Sequence, residues 1–145
     1  MISGLYERDF HAWAMEQAGF LRAGNYSAAD IAHIAEEIES MGRTEKRELV
    51  SRLAILLCHL LKWRFQPGLR GNSWRYSIIV QRRDLARHLA DNPSLKAKLG
   101  ETLADAYINA RYSAAGETEL PEQTFPTECP WPFERIMNAE FWPED

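Results

Sequence analysis

From Ala28 to Gln66 the chain reads AADIAHIAEEIESMGRTEKRELVSRLAILLCHLLKWRFQ, a long helical pattern interrupted by a single glycine. At 100° per residue, Ile31, Ile34, Ile38, Met41, Leu49, Leu53, Leu56, Leu60 and Trp63 fall on one side. Within the stretch, the run ILLCHLL from Ile55 to Leu61 is apolar all round except for His59, the pattern of a helix enclosed by protein. These residues are the expected centre of the core. One straight helix of this length measures about 60 Å, against roughly 40 Å for a compact globule of this size. Gly42, a poor helix interior and a usual residue past a helix end, is therefore the expected break: two helices, or one sharply bent, meeting there.

The flanking sequence extends the helical reading. A first helix is expected from Leu5 or Tyr6 to Arg22, closed by Gly24-Asn25. Ser27, three residues ahead of Asp30, has the spacing of a capping box opening the central stretch. QPGLRGNS after Phe65 must turn, and Ser73 is the expected cap of the next helix, which buries Trp74, Ile78, Leu85 and Leu89. Asn92 should cap a further helix with Pro93 in its first position, carried by Leu95, Leu99, Leu103 and Tyr107 to about Ala115. Beyond Gly116 lie five of the seven prolines together with Phe125, Trp131, Phe133, Phe141 and Trp142. Prolines forbid long regular structure there, while so many aromatics demand a surface to cover. The expected architecture is all-α: one helical domain over 1–145, a bundle of four or five helices within 1–115, and a proline- and aromatic-rich segment, 116–145, packed across it. A short helix is expected over 132–138.

With 145 residues, 46% hydrophobic and 26% charged, the chain suits a soluble globule and not a disordered one. Its only strongly apolar run is too short for a bilayer, and MISGLYERDF lacks the pattern of an export signal, so a cytoplasmic protein without a membrane partner is expected. Cys58 and Cys129 make neither a metal spacing nor a disulfide framework. Charge is uneven: residues 62–88 carry seven basic groups against one acidic, and residues 117–145 carry one basic against eight acidic. The two regions can neutralise each other or face different partners.

Several phrases are familiar in combination: Tyr6 to Phe10 (YERDF), Glu36 to Gly42 (EEIESMG), His59 to Trp63 (HLLKW), Ser73-Trp74-Arg75, Pro93-Ser94-Leu95 and Phe125-Pro126. In this order, over nearly the whole chain, they resemble a bacterial family known mainly from cyanobacteria and proteobacteria, the domain of unknown function numbered twenty-nine. The resemblance implies a compact, all-helical, stand-alone bacterial protein. It assigns no site residues, so the chemistry has to be read from the side chains.

Glu36, Glu37, Glu39, His33 and His59 suggest a metal, but no glutamate has a histidine three residues later, as a di-iron bundle needs, and neither metal nor cofactor is expected. Cys58, in an all-apolar run, is a poor nucleophile, and no nucleophile elbow, phosphate loop or zinc-protease motif occurs. The basic segment offers Lys62, Arg64, Arg70, Arg83 and Arg87 for phosphates, with Trp63, Phe65, Trp74 or Tyr76 to stack on bases. Trp63 and Trp74 also fall on core stripes, and a pI near 5.6 is low for a dedicated nucleic-acid binder. The competing expectation is a partly buried ion-pair network between helices. It would be built from Glu45, Glu48, Arg52 and His59 on the central stretch and from Arg75 and Arg82 on the next helix, with Glu36 or Glu39. The function expected first is a non-catalytic interaction or regulatory role, through a protein partner or a second copy. Nucleic-acid binding comes second and an enzyme of unrecognised type third.

Overall fold

Asp9 divides the first expected helix in two. Its side chain accepts a hydrogen bond from the Ala12 amide at 3.0 Å, so it caps a new helix while ending a short one. The computed structural model describes residues 4–144, and among them are six α-helices and no strand. They are α1 (Leu5–Arg8), α2 (Phe10–Arg22), α3 (Ile31–Phe65), α4 (Asn72–Asp91), α5 (Leu99–Thr118) and α6 (Phe133–Met137), with short 3₁₀ turns at Pro67–Leu69, Pro93–Lys98 and Glu122–Thr124. The all-helical expectation and the short helix within 132–138 both hold.

Other expectations are corrected. Gly42 does not end a helix, because α3 is continuous from Ile31 to Phe65. An interior glycine costs about 1 kcal/mol, which the helix-forming residues around it outweigh, and a Cβ at Gly42 would meet no atom within 4 Å. The capping box is displaced too. Asp30 is itself the cap, accepting from the His33 amide, while Ser27 donates to Asn25 in the preceding loop. Gly71, in extended conformation, precedes α4 in place of a Ser73 cap, and Pro93 opens a 3₁₀ turn, leaving α5 to begin at Leu99.

The chain forms two compact units, residues 1–44 and 45–145. In the first, Trp13 and Gln17 are buried on α2, and the Gln17 amide oxygen accepts from the Asp30 backbone at 2.6 Å. The second holds the main hydrophobic core. Leu49, Leu53, Leu56, Leu57, Leu60 and Leu61 of α3 are fully enclosed, while Ile55, 43% exposed, and the half-buried His59 depart from the expected all-round burial of ILLCHLL. Against them pack Ile78 and Leu85 of α4 and Ala106, Tyr107 and Ala110 of α5. Small residues on α5 let it approach closely. The C-terminal segment completes this core with Phe125, Trp131 and Ile136, so it packs on the helices as expected.

The upstream half of the expected stripe behaves differently. Ile31, Ile38 and Met41 are 56%, 62% and 67% exposed, whereas Ile34 is half-buried. An apolar period fixes which residues share a face, but not whether anything covers that face.

Candidate functional site

The basic segment enters the structure largely as internal cement. Lys62 is buried and reaches Glu117 at 2.9 Å, with its ammonium 5.0 Å above the Trp74 ring. That hydrogen bond holds the Glu117 carboxyl below its ordinary range. Arg70 donates to the Trp63 carbonyl at 2.7 Å and to the Pro143 carbonyl at 3.5 Å. Arg82 is buried and donates to the carbonyls of Ile136 and Phe141 at 2.8 and 2.7 Å. Arg64 lies over its neighbour Phe65. The C-terminal segment therefore meets Arg70 and Arg82 with backbone carbonyls, and of its acidic side chains Glu117 pairs with Lys62. Trp63 and Phe65 pack against the core, leaving Tyr76 as the aromatic of this segment most open to solvent.

Arg75, Arg83 and Arg87 remain exposed on α4, where Arg83 has, among the described residues, only its neighbour Asp84 at 3.6 Å. Together with Tyr76, Ile79 and Val80, which are 57%, 40% and 41% exposed, they occupy about 140° of the helix surface. This is a basic and apolar face.

Of the expected ion-pair residues, the structure brings Glu45, Glu48 and Arg52 together. Arg52 binds one Glu48 oxygen at 2.9 Å and crosses to Asp84 on α4 at 3.3 Å. Beside them on α4 stands His88, which the sequence reading missed. Its Nε2–H donates to the Glu45 carbonyl at 2.7 Å, and its Nδ1 faces the Glu45 and Glu48 carboxylates at 3.7 and 3.9 Å. A cavity of about 320 Å³ opens beside Glu48, Arg52, Asp84, Arg87, His88 and Asp91. The other candidates stand apart from this cluster. Arg82 meets carbonyls, His59 donates to the Ile55 carbonyl, and Arg75 is exposed without an ion pair among the described residues. Glu36 and Glu39 are exposed in the first unit, with Glu39 3.9 Å from Arg43.

Cys58 is unsuited to nucleophilic work: burial, followed by the nearby Glu117 charge, pushes its thiol up to about 12. Burial likewise holds His59 below its ordinary value.

A second cluster lies in the first unit. Asp30 accepts from the His33 ring at 2.6 Å and from the Trp13 indole at 3.3 Å, and Tyr6 stacks on His33 with ring centroids 4.0 Å apart. The Tyr6 hydroxyl donates to Glu37, a bond that raises its pKa to about 12. A cavity of about 700 Å³ adjoins Tyr6, Trp13, Asp30 and His33. The hydrogen bond with Asp30 raises the His33 pKa above 6.5, and the same bond lowers the Asp30 pKa below 3.8. The raised His33 contributes stability that is fully present below pH 6.5 and is lost as pH rises through its folded pKa. The lowered Asp30 contributes stability present above pH 3.8 and lost as pH falls through its folded value. An NMR titration should therefore show His33 titrating above its ordinary value, and Asp30→Asn should return it towards that value. An unchanged His33 midpoint in the variant would remove the pairing.

A family model for the domain of unknown function DUF29 matches residues 5–142. The chain belongs to the DUF29 family. No curated protein and no solved structure matches it. The DUF29 match spans both units and both side-chain clusters, as well as the exposed surfaces of α3 and α4.

One of those surfaces distinguishes the first unit. Ile31, Ala35, Ile38 and Met41 form an exposed ribbon on α3, with Glu36 and Glu39 on the solvent side of the same helix. Residues 1–44 carry seven acidic and three basic side chains, so the ribbon lies in an acidic setting. No helix of the described residues is long and apolar enough to cross a membrane.

Proposed function

We propose that this DUF29 protein is a non-catalytic interaction protein, and that the ribbon Ile31–Ala35–Ile38–Met41 is a docking surface for the basic face of α4 on a second copy. The observation that carries the reading is the exposure of Ile31, Ile38 and Met41 side by side on one well-formed helix. A contiguous apolar strip rimmed by charge is the chemistry of a recognition surface, since each Å² removed from water gains about 25 cal/mol. The α4 face supplies the complement: Tyr76, Ile79 and Val80 offer apolar contact, and Arg75, Arg83 and Arg87 offer charges opposite to Glu36 and Glu39. At the helical rise the ribbon is about 15 Å long and the α4 face about 18 Å. Opposed charge in such a contact sets orientation and excludes like-charged partners.

Sedimentation and light scattering over a concentration series test the proposal. The expected result is reversible association that weakens with salt and is abolished by Ile38→Asp. Glu39→Arg and Arg83→Glu should each weaken it, while the double variant restores it. A monomer at every concentration, or association indifferent to Ile38→Asp, overturns the second-copy reading. Binding of DNA or RNA through the same arginines, with steep salt dependence and loss in Arg83→Glu, would replace it with a nucleic-acid role.

A further inference from the structure

We infer that Glu45, Glu48 and His88 form a binding site for a divalent first-row transition-metal ion. His88 is 8% exposed, and its ring is oriented by the 2.7 Å hydrogen bond from Nε2 to the Glu45 carbonyl. A neutral imidazole that donates through Nε2 keeps its lone pair on Nδ1. That nitrogen has no hydrogen-bond partner among the described residues and points at two carboxylates, 3.7 and 3.9 Å away. Those separations are too long for hydrogen bonds and suit a shared ion. Two donors each about 2.1 Å from one metal stand roughly 3 to 4.2 Å apart, depending on the angle between them. The three donor atoms all lie within 4.8 Å of one another.

The surroundings have the organisation that metal ligands require. A ligating histidine commonly donates its other ring N–H to a backbone carbonyl, which fixes the tautomer and aims the free nitrogen. Glu48 is also oriented: Arg52 occupies its Oε1 at 2.9 Å, leaving Oε2 as the oxygen nearest His88, and Asp84 holds Arg52 from the opposite side at 3.3 Å. Glu45 and the six residues lining the adjoining cavity carry four carboxylates and two guanidinium groups, a net charge of −2 with His88 neutral. A divalent cation balances that charge. One nitrogen and two carboxylate oxygens are borderline to hard donors, suited to Zn²⁺, Mn²⁺ or Fe²⁺, and the cavity leaves room for water as a further ligand.

The alternative occupant of the same space is a proton on Nδ1, giving an imidazolium between two carboxylates. Calorimetric titration of the full chain with Zn²⁺ alone separates the two. The expected result is one equivalent bound per chain, accompanied by an upward shift in melting temperature. His88→Ala should lower the affinity more than ~100-fold, beyond the loss typical of an outer-shell contact, and Glu48→Gln, which keeps the side-chain volume, should also weaken binding. Circular dichroism of each variant establishes that it remains folded. No saturable Zn²⁺ uptake by the wild-type chain overturns the proposal. So does uptake that survives unchanged in both folded variants, which would place the ion on His11, His33 or His59 instead.

Discussion

Phe125→Ala is expected to lower the unfolding free energy by about 3–5 kcal/mol, the cost of truncating an enclosed aromatic that the surroundings cannot refill. Phe125 is 1% exposed although it lies in a proline-rich segment outside the long helices. Its ring meets Phe65 edge-on at 5.4 Å, joining the segment to the end of α3. The backbone on either side is held by α5. Arg111 donates to the Phe125 and Glu122 carbonyls at 3.2 and 3.1 Å, and the Tyr107 hydroxyl donates to the Pro126 carbonyl at 2.6 Å. These clamps prevent the segment from sliding to fill the hole, so the cavity term is retained in full. Urea denaturation followed by circular dichroism measures the effect. A loss below about 0.5 kcal/mol would show that the segment lies on the surface and contributes no core.

The part of the fold legible in the sequence is the part where one period dictates one environment. Leu49, Leu53, Leu56 and Leu60 are enclosed as the helical spacing requires, and the aromatics among the prolines do cover the helices. The same spacing misplaces Ile31, Ile38 and Met41, because periodicity defines a face without naming its neighbour. Gly42 misleads for a related reason: its helix propensity is a local penalty near 1 kcal/mol, and α3 has enough flanking helix formers to absorb it. Glu45, Glu48 and Arg52 were recognisable as polar residues beside an apolar stripe. Their true partners, Asp84 and His88, required the register between α3 and α4. That register was within reach. Residues 45 and 88, like 52 and 84, stand nearly equidistant from the turn at Pro67–Leu69, as antiparallel helices joined by a short connection demand. Arg82 borders the apolar stripe of its helix, the position expected of a network residue, yet it faces the C-terminal segment, whose irregular path no periodicity describes.

Arg82→Ala is expected to release that segment and to cost about 2–4 kcal/mol. Arg82 is 6% exposed and no carboxylate among the described residues neutralises it, so burial lowers its pKa. Its stabilisation comes from Nε to the Ile136 carbonyl and Nη2 to the Phe141 carbonyl, with the Trp142 ring 5.5 Å from the charge. A hydrogen bond from a charged donor contributes about 1.5–3 kcal/mol net, and two of them outweigh the partial relief gained by removing a desolvated charge. That relief is real, because Arg82 Nη1 has no partner among the described residues. It sets the net effect below the sum of the two bonds. Lysine does not substitute: a single ammonium on a flexible stem cannot hold two carbonyls that a planar fork spans, so Arg82→Lys should recover less than half of the loss. Hydrogen exchange separates local release from global unfolding. Amides of Ile136 to Phe141 should lose protection in Arg82→Ala while the Leu53 to Leu61 amides of α3 retain theirs, and equal loss in both regions would instead make Arg82 a residue of the global core.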